Sequence, residues 1–438
     1  MRTVVIIAPD FSPSSLPSAI RPRLFANHLG AFGWHPIVIT TRAEFYDYPL
    51  DFDNESLVAA DVEVIRTAAI SSASARRFGI GDIGIRSLRA HWQALRELVA
   101  ERTVDLILIS VPPCVPMLLG RMAKRTFGIP YVIDYQDPWG SDAWWKVPRA
   151  EHPPKWPLVW AMAKVLEPLA VRQASALTGV SLGATEYAAT LQPGVQRTEI
   201  PFGAEPMEFA FLRARPRLNP VFDPRDGKLH LVYTGVIIPG MYPALRVMLQ
   251  AVRLLVANQP ELGARLQVHF IGTSYAPRDP VPQMLPLAEE AGVAHLVTER
   301  AARVSYLDAL QILLDSTCLL IVGTGEAHYT PSKIFPCALA GKPILAVLHQ
   351  ASPGPELLWG ITGTSAVVYG DDGPGSELIP ELCRRLTEMF IDPIPADPDV
   401  QRLAPFTARA MAGRLATVFD GVISAEARIN PEAERRSA

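Results

Sequence analysis

The sequence predicts an α/β protein made of two domains, each a parallel β-sheet flanked by helices. Short apolar runs alternate with helical patterns along the 438 residues, which is typical of parallel strands joined by crossover helices. The length also exceeds the roughly 250–300 residues at which single hydrophobic cores stop growing. A proline-containing stretch with little periodicity, 204–228, separates two such series and is predicted to be the linker.

The apolar runs give the predicted strands and domain limits. In the first half they are 4–8, 36–40, 106–110, 131–134 and 176–180, the last being the final strand of that half. A loop over 9–19 and helices over 22–29 and 115–126 connect them. In the second half the strands are 229–233, 267–271, 319–322 and 344–347. The predicted domains are 1–203 and 229–403, followed by a helical tail over 404–438 that is clearest over 406–422.

Composition and charge argue against several classes of protein. Net charge is −3, so the chain lacks the global basic field that nucleic-acid-binding proteins use. The four cysteines lack the paired spacing of a metal site and suit the reducing cytoplasm. The apolar run at 1–8 is too short for a signal peptide, and no stretch reaches the roughly 18 apolar residues of a membrane span. We expect a cytoplasmic protein, soluble or peripherally membrane-associated, that binds no nucleic acid.

The segment after the predicted strand 319–322 has the features of a phosphate site. Thr330 is a good N-cap and Pro331 a good first helical residue, so a helix is predicted to begin there. Free N–H groups, the helix dipole and Lys333 then lie beside the carboxyl edge of a parallel sheet, which favours phosphate binding. The same residues are also typical of an ordinary capped helix that binds no phosphate.

A glycine turn follows the first strand of the second half. Gly235 comes directly after Thr234 and would let a ligand approach the backbone closely. The full G-x-G-x-x-G fingerprint of a dinucleotide site is absent.

Two carboxylates lie at the C-terminal end of the predicted strand 131–134 in the first half. Asp134 and Asp137 could bind hydroxyl groups or act as a base, although Asp137 before a proline is also typical of loop capping. Arg21, predicted just ahead of its helix, would face the same edge of the sheet.

Tryptophans are concentrated late in the first half, next to basic residues. The tryptophans are Trp139, Trp144, Trp145, Trp156 and Trp160, and the basic residues are Lys146, Arg149 and Lys155. Such a run suits a membrane interface or an apolar acceptor. A loop folded over the first domain with its tryptophans packed explains it equally well.

The order of these motifs resembles that of the GT-B glycosyltransferases of family 4, especially those of bacterial cell-surface polysaccharide assembly. The matching segments are the first strand and loop with Arg21, Gly33-Trp34-His35, Ser110-Val111-Pro112-Pro113, 134–139, 200–205, Tyr233-Thr234-Gly235, 330–335 and Gly341-Lys342-Pro343. The resemblance covers almost the whole chain. It implies two facing Rossmann-like domains, with a final helix that crosses back to the N-terminal domain.

The resemblance also implies the ligands and the reaction. A nucleoside diphosphate sugar is expected on the C-terminal domain, with helix N-termini and basic side chains meeting its charge and no metal or cofactor required. A sugar, lipid-linked or small-molecule acceptor is expected on the N-terminal domain. The sugar would move with retention of anomeric configuration, in the synthesis of a cell-surface glycan or glycoconjugate.

Site residues are assigned on these positions. The expected donor-binding residues are Thr234, Gly235, Thr330, Pro331, Ser332, Lys333 and Ile334. The expected catalytic residues are Glu326, His328 and Asp137. The expected acceptor-side residues are Arg21, Asp134 and Trp139.

Two departures from the family pattern leave other functions open. The usual pair of glutamates is replaced by His328 and Pro336, and Glu326 is the predicted substitute for the first of them. The basic pair expected after the glycine turn is missing from 236–242, and Arg246 comes a turn too late. A non-catalytic GT-B scaffold or partner subunit and a sugar-nucleotide epimerase are therefore the alternative functions.

Overall fold

The computed structural model describes residues 1–140, 142, 156–274, 280–325, 333–398 and 403–429. The chain is an α/β protein, as predicted, and its contacts divide it into two compact units. Unit 1 comprises Met1–Gly203 with Ala408–Ala438, and unit 2 comprises Ala204–Thr407.

Unit 1 is built on a seven-stranded sheet in which all neighbouring strands are parallel. The strands are β1 Arg2–Ile7, β2 Trp34–Thr41, β3 Glu63–Thr67, β4 Leu106–Val111, β5 Tyr131–Tyr135, β6 Ala176–Gly179 and β7 Arg197–Glu199. Their order is β3-β2-β1-β4-β5-β6-β7, so the direction of winding reverses between β1 and β4. This is the doubly wound arrangement that places ligands at the carboxyl edge near the reversal.

The two edge strands, β3 and β7, were not predicted, and the expectation that 176–180 is the last strand of this half is wrong. β7 has the sequence Arg-Thr-Glu and an exposed–intermediate–exposed burial pattern, so it carries no apolar run. An edge strand has a neighbour on one side only and does not need the continuous hydrophobicity of a central parallel strand.

Helices cover both faces of this sheet. They are α1 Pro17–Leu29, α2 Ser72–Arg76, α3 Ile83–Glu101, α4 Met117–Phe127, α5 Trp156–Val171 and α6 Leu182–Leu191. α1 begins five residues before its predicted start because Pro17, rather than Pro22, occupies the first helical position. Arg21 is therefore inside the helix and not ahead of it.

Unit 2 is built on a six-stranded parallel sheet and a small antiparallel pair of strands. The strands are β8 Leu229–Thr234, β9 Leu266–Ile271, β10 Val297–Arg300, β11 Cys318–Val322, β12 Ile344–His349, β13 Ile361–Thr362, β14 Thr364–Tyr369 and β15 Asp397–Pro398. The order of the larger sheet is β10-β9-β8-β11-β12-β14, with its reversal between β8 and β11. All four strands predicted for this half are present, each within one or two residues of its predicted limits.

The helices of unit 2 are α7 Pro206–Ala214, α8 Tyr242–Asn258, α9 Pro260–Arg265, α10 Met284–Glu290, α11 Tyr306–Asp315, α12 Ile334–Ala340, α13 Gly354–Leu358 and α14 Ile379–Ile391. α7 lies within the predicted linker 204–228, which therefore holds a helix and belongs to unit 2. Glu205 caps it by accepting a hydrogen bond from the Met207 N–H at 3.0 Å, and Phe209 and Leu212 are buried. Nine residues give only about two and a half turns, too few for a clear apolar period.

The last helix, α15 Ala408–Ile429, packs against α1 in unit 1. Its Met411, Leu415 and Phe419 are buried, and the Phe419 ring meets Trp34 edge to face with centroids 5.1 Å apart. Burial of each such side chain contributes about 1.5–3 kcal/mol. The predicted return of the final helix to the N-terminal domain is confirmed. None of the helices in the described part of the chain has the length and hydropathy that a membrane span needs.

Candidate functional site

The carboxyl edge of the sheet in unit 2 brings together two of the predicted donor-binding residues. Gly235 follows β8, and Lys333 follows β11, the strands between which the winding reverses. Loops leave such a reversal in opposite directions, which opens a crevice at the strand ends. The two residues are almost a hundred positions apart in sequence and meet at this crevice.

Lys333 is held in place by Tyr233. The Lys333 ammonium donates to the Tyr233 hydroxyl at 2.8 Å, and its Nζ lies 4.1 Å from the centroid of the Tyr233 ring. The Tyr233 hydroxyl in turn donates to the carbonyl of Val236 at 3.0 Å. Tyr233 therefore orients the lysine at the end of β8, a role that the sequence analysis did not assign.

The electrostatics of this lysine suit an anionic ligand. Lys333 is half-buried, and loss of solvation lowers its pKa to about 7. Burial disfavours the charged form of an amine, whereas a nearby negative charge favours it. An anion bound beside Nζ would therefore restore the ammonium form.

Gly235 makes the position of Lys333 sterically feasible. Its φ is 117°, and a Cβ built on it would lie 2.4 Å from the Lys333 Nζ. Its N–H donates to the carbonyl of Ile271 at 2.7 Å, which fixes the turn. Thr234, the last residue of β8, is half-buried beside it. Glycine is required here both for the backbone angle and for the space.

Replacing Gly235 with alanine is expected to weaken anion binding in unit 2 by about tenfold while the protein stays folded. The added methyl group displaces the lysine, and the positive φ adds about 1–3 kcal/mol of strain. Titration calorimetry with a nucleoside diphosphate would measure the affinity. Gly292→Ala is the matched control, since it also has a positive φ, 73°, but no atom within 4 Å of the added Cβ. Equal affinities in the two variants would contradict this role of Gly235.

The other predicted donor and catalytic residues divide into two groups. The helix α12 begins at Ile334, three residues later than predicted, with Lys333 at its N-cap position. The Ile334 side chain is fully buried, so it supports the helix from the core and presents no surface to a ligand. Thr330, Pro331 and Ser332, together with Glu326 and His328, lie outside the described residues.

In unit 1, Arg21 and Asp134 form a buried ion pair. The Arg21 Nε and Nη2 donate to the two Asp134 oxygens at 2.7 and 2.9 Å, and Thr178 adds a hydrogen bond at 2.7 Å. Both charged side chains are 0% exposed. Arg21 was expected to face the same edge of the sheet as Asp134. It does contact Asp134, but its side chain is buried in that contact and is not open to solvent. The pair ties α1 to β5.

Hydrogen-bonding capacity remains unused beside this pair. Ser110 lies opposite Asp134 in the register of β4 and β5, and Gln136 follows β5. The Ser110 Oγ, the Gln136 Nε2 and the Arg21 Nη1 are buried and have no hydrogen-bond partner among the described residues. The carboxyl edge of this sheet can therefore satisfy further polar groups.

The loop after β5 presents Asp137 to solvent. Glu167 anchors the loop by accepting from the Gly140 N–H at 2.7 Å and the Tyr135 hydroxyl at 2.9 Å. Asp137 is exposed, and partial loss of solvation raises its pKa above the usual value. Trp139 is half-buried and packs against the core of unit 1. Of the three predicted acceptor-side residues, Arg21 and Asp134 thus have buried side chains, and the side chain of Trp139 is half-buried.

Asp10 is a further polar residue at this edge that sequence reasoning missed. It follows β1 and accepts hydrogen bonds from the Ser18 hydroxyl, at 2.9 Å, and from the Tyr48 hydroxyl. Burial raises its pKa to about 6. The available signal was an acidic residue directly after a central strand, the same signal that singled out Asp134.

The tryptophan-rich segment is only partly described. Trp156 is buried and meets Trp160 edge to face, with centroids 6.3 Å apart. The Trp160 Nε1 donates to Asp142 at 3.0 Å. Trp156 is thus packed, while Trp144 and Trp145 lie outside the described residues.

Within the described ranges, no group of three or more His, Cys, Asp and Glu side chains could hold a metal ion.

Comparison with known families matches residues 19–203 to the glycosyl transferase 4-like domain. The predicted resemblance is confirmed, and this family and the two-sheet architecture together support a GT-B glycosyltransferase. A search of curated proteins gives no match.

Solved structures share the fold of this chain over nearly its full length. The α,α-trehalose 6-phosphate synthase of Burkholderia multivorans has a TM-score of 0.54 at 11% identity, covering 97% of this chain and 99% of that one. The UDP-forming enzyme of Burkholderia xenovorans in complex with glucose-6-phosphate gives 0.52 at 10% identity, covering 99% of both. The N-terminal domain of the Candida albicans trehalose-6-phosphate phosphatase gives 0.52 at 10%, covering 97% and 96%. At these identities the likeness establishes the fold alone.

Proposed function

We propose that this protein transfers a sugar from a nucleoside diphosphate sugar to an acceptor, with retention of anomeric configuration. The observation that carries the proposal is the position of Lys333, held by Tyr233 at the strand reversal of unit 2 and facing the Gly235 turn. The carboxyl edge at such a reversal is where α/β sheets bind nucleotides.

Lys333 would pair with the diphosphate and stabilise the negative charge that develops on the leaving group. Preorganised donors aimed at such a charge are effective because they need no reorganisation during the reaction. Gly235 lets the phosphates approach the backbone, and Thr234 adds a hydroxyl at the same edge. We assign contact with the sugar to Glu326 and His328, and no step requires a metal or cofactor.

The acceptor would bind at the carboxyl edge of the sheet in unit 1. Asp137 is the exposed carboxylate there, and the Arg21–Asp134 pair holds the surrounding elements in place. The unused hydrogen-bonding atoms of Ser110 and Gln136 beside that pair support a polar ligand such as a sugar. We propose a sugar, lipid-linked or small-molecule acceptor and a role in cell-surface glycan or glycoconjugate synthesis in the cytoplasm.

Thermal unfolding against a panel of sugar nucleotides, with UDP and GDP alone, tests the donor. The panel begins with UDP-sugars because the Burkholderia xenovorans neighbour is UDP-forming. A donor at about 100 times its dissociation constant stabilises the native state by about 2.7 kcal/mol, so a selective rise in Tm is expected. No rise with any nucleotide would contradict the proposal and favour the non-catalytic scaffold.

Product analysis separates the transferase from the epimerase. With the donor alone, the proposed transferase should leave the sugar unaltered, whereas an epimerase would release a changed sugar nucleotide. With an acceptor present, nuclear magnetic resonance of the product reports the anomeric configuration, and inversion would overturn the retaining mechanism.

A further inference from the structure

The loop that follows β12 holds a serine whose hydroxyl is unused. Ser352 is 7% exposed, and its Oγ has no hydrogen-bond partner in the part of the chain that the structure describes. Most buried polar side chains in native proteins are paired, because an unpaired one loses its solvation without compensation. β12 is parallel to β11, so the loop after β12 leaves the same edge of the sheet as the loop that leads to Lys333.

Ser352 adjoins the start of α12, next to Lys333. Gly354 gives the geometry, since a Cβ built on it would lie 3.5 Å from the Ile334 Cδ1 and 3.5 Å from the Ser352 Oγ. These two atoms are therefore at most twice that distance apart. Ile334 directly follows Lys333. Ser352 thus flanks Lys333 on the side of β12, whereas Gly235 flanks it on the side of β8.

Contacts of His349 fix the position of Ser352. The Ser352 N–H donates to the His349 carbonyl at 3.0 Å, and the His349 Nδ1 accepts from the Ala351 N–H at 3.2 Å. Because Nδ1 accepts, Nε2 carries the ring proton and donates to Asp371 at 3.1 Å. The ring is 1% exposed and meets Tyr369 edge to face. A hydroxyl on a turn held in this way is preorganised for a ligand.

The two flanks of Lys333 differ in the space that they offer. On the β8 side Gly235 and Gly272 are adjacent, since a Cβ built on Gly272 would lie 4.0 Å from the Gly235 Cα. Two neighbouring residues without side chains leave room at the ends of β8 and β9, which suits the larger nucleoside. On the β12 side a Cβ built on Gly354 would lie 2.8 Å from the Leu348 Cδ1, so the space is restricted. The smaller sugar is expected on that side.

We propose that the Ser352 hydroxyl binds a hydroxyl group of the sugar that the donor carries. A serine hydroxyl both donates and accepts, as a sugar hydroxyl does, so the hydrogen bond can form in either direction. This bond would satisfy the unused Oγ and hold the sugar on the β12 side of Lys333. The inference rests on the proposed function, because it requires a sugar nucleotide at the donor site.

Titration calorimetry of the full chain tests the contact. The probes are UDP-glucose and UDP, or the sugar nucleotide that the unfolding panel selects and its nucleoside diphosphate. Ser352→Ala should bind the sugar nucleotide about three- to tenfold more weakly, the usual effect of losing one hydrogen bond. Its affinity for the nucleoside diphosphate should be unchanged, because only the sugar reaches the serine. Its Tm without ligand should not fall, since the hydroxyl that is removed stabilises nothing in the free protein.

Ser365→Ala is the matched control. The Ser365 Oγ is also buried and has no partner among the described residues, but Ser365 is the second residue of β14 and lies at the opposite, amino edge of the sheet. Its affinities for both probes should equal those of the wild type. Sugar nucleotides that each lack one sugar hydroxyl identify the contact, because the one without the contacted group should bind the wild type and Ser352→Ala equally.

Three results would overturn the inference. They are equal binding of the sugar nucleotide by Ser352→Ala and the wild type, an equal loss of affinity for the nucleoside diphosphate, and the same loss in Ser365→Ala. If the wild type binds the nucleoside diphosphate and one of these results is found, the contact is wrong and the proposed function stands. If the wild type binds neither probe, the proposed function fails together with the inference.

Discussion

Replacing Lys333 with methionine is expected to lower kcat/KM by about 10²–10³-fold, the typical cost of removing one preorganised donor from a developing negative charge. Methionine keeps the length of the side chain and removes its charge and its hydrogen bonds. The measurement is steady-state kinetics with the donor found in the unfolding panel. Lys228→Met is the matched control, because Lys228 is an exposed lysine of the same unit.

The pH dependence gives this prediction a second readout. With the pKa of Lys333 near 7, the free protein loses the ammonium form as pH rises through 7. A bound diphosphate favours that form, so donor binding takes up a proton and its affinity should fall above pH 7. In Lys333→Met this part of the pH dependence should disappear. If the variant has the kcat/KM and the pH profile of the wild type, the assignment of Lys333 to the donor site is contradicted.

Replacing Arg21 with methionine is expected to destabilise unit 1 by about 3–5 kcal/mol, the usual effect of leaving one member of a buried pair without its partner. Asp134 would then keep only its hydrogen bond from the Thr178 hydroxyl. The Asp134 carboxylate is buried, so its charge would be poorly solvated. Urea unfolding followed by tryptophan fluorescence measures the change. This signal reports mainly on unit 1, because every tryptophan except Trp359 lies in Met1–Gly203.

Two further variants identify the cause of that loss. Arg21→Met/Asp134→Leu should recover much of the stability, since no unpaired charge remains. Arg102→Met removes a pair with a similar distance, 2.8 Å from Arg102 to Glu63, whose side chains are 42% and 37% exposed. It should cost about 0–1 kcal/mol because solvent screens it. If the double variant is as unstable as Arg21→Met, or if Arg102→Met costs as much, burial of the Arg21–Asp134 pair does not explain the effect.

The sequence predicts the central strands well and the edges poorly. β8 and β11 are buried on both faces, so each is largely apolar in sequence and can be recognised without any knowledge of its neighbours. β7 is polar and depends on pairing with β6. The start of α1 was misplaced because two prolines, Pro17 and Pro22, carry the same N-terminal signal and local sequence does not choose between them.

The sequence predicted individual residues of the candidate site but not the contacts between them. Lys333 and Gly235 were each identified from local patterns, but their contact follows from the order of the strands in unit 2. The role of Tyr233 depends on that contact and had no local signal of its own. Arg21 and Asp134 were predicted to lie at the same edge, yet their mutual burial depends on which way α1 turns.

The return of α15 to unit 1 has a consequence for how the chain is made. Translation delivers β1 and β2 first, but the helix that covers Trp34 leaves the ribosome only after the whole of Ala204–Thr407. Unit 2 is continuous in sequence and can fold as it emerges, whereas nascent unit 1 keeps the part of its core around Trp34 uncovered until synthesis reaches Ala408–Ile429. Of the two units, the one whose first strands are made earlier is therefore the later to mature.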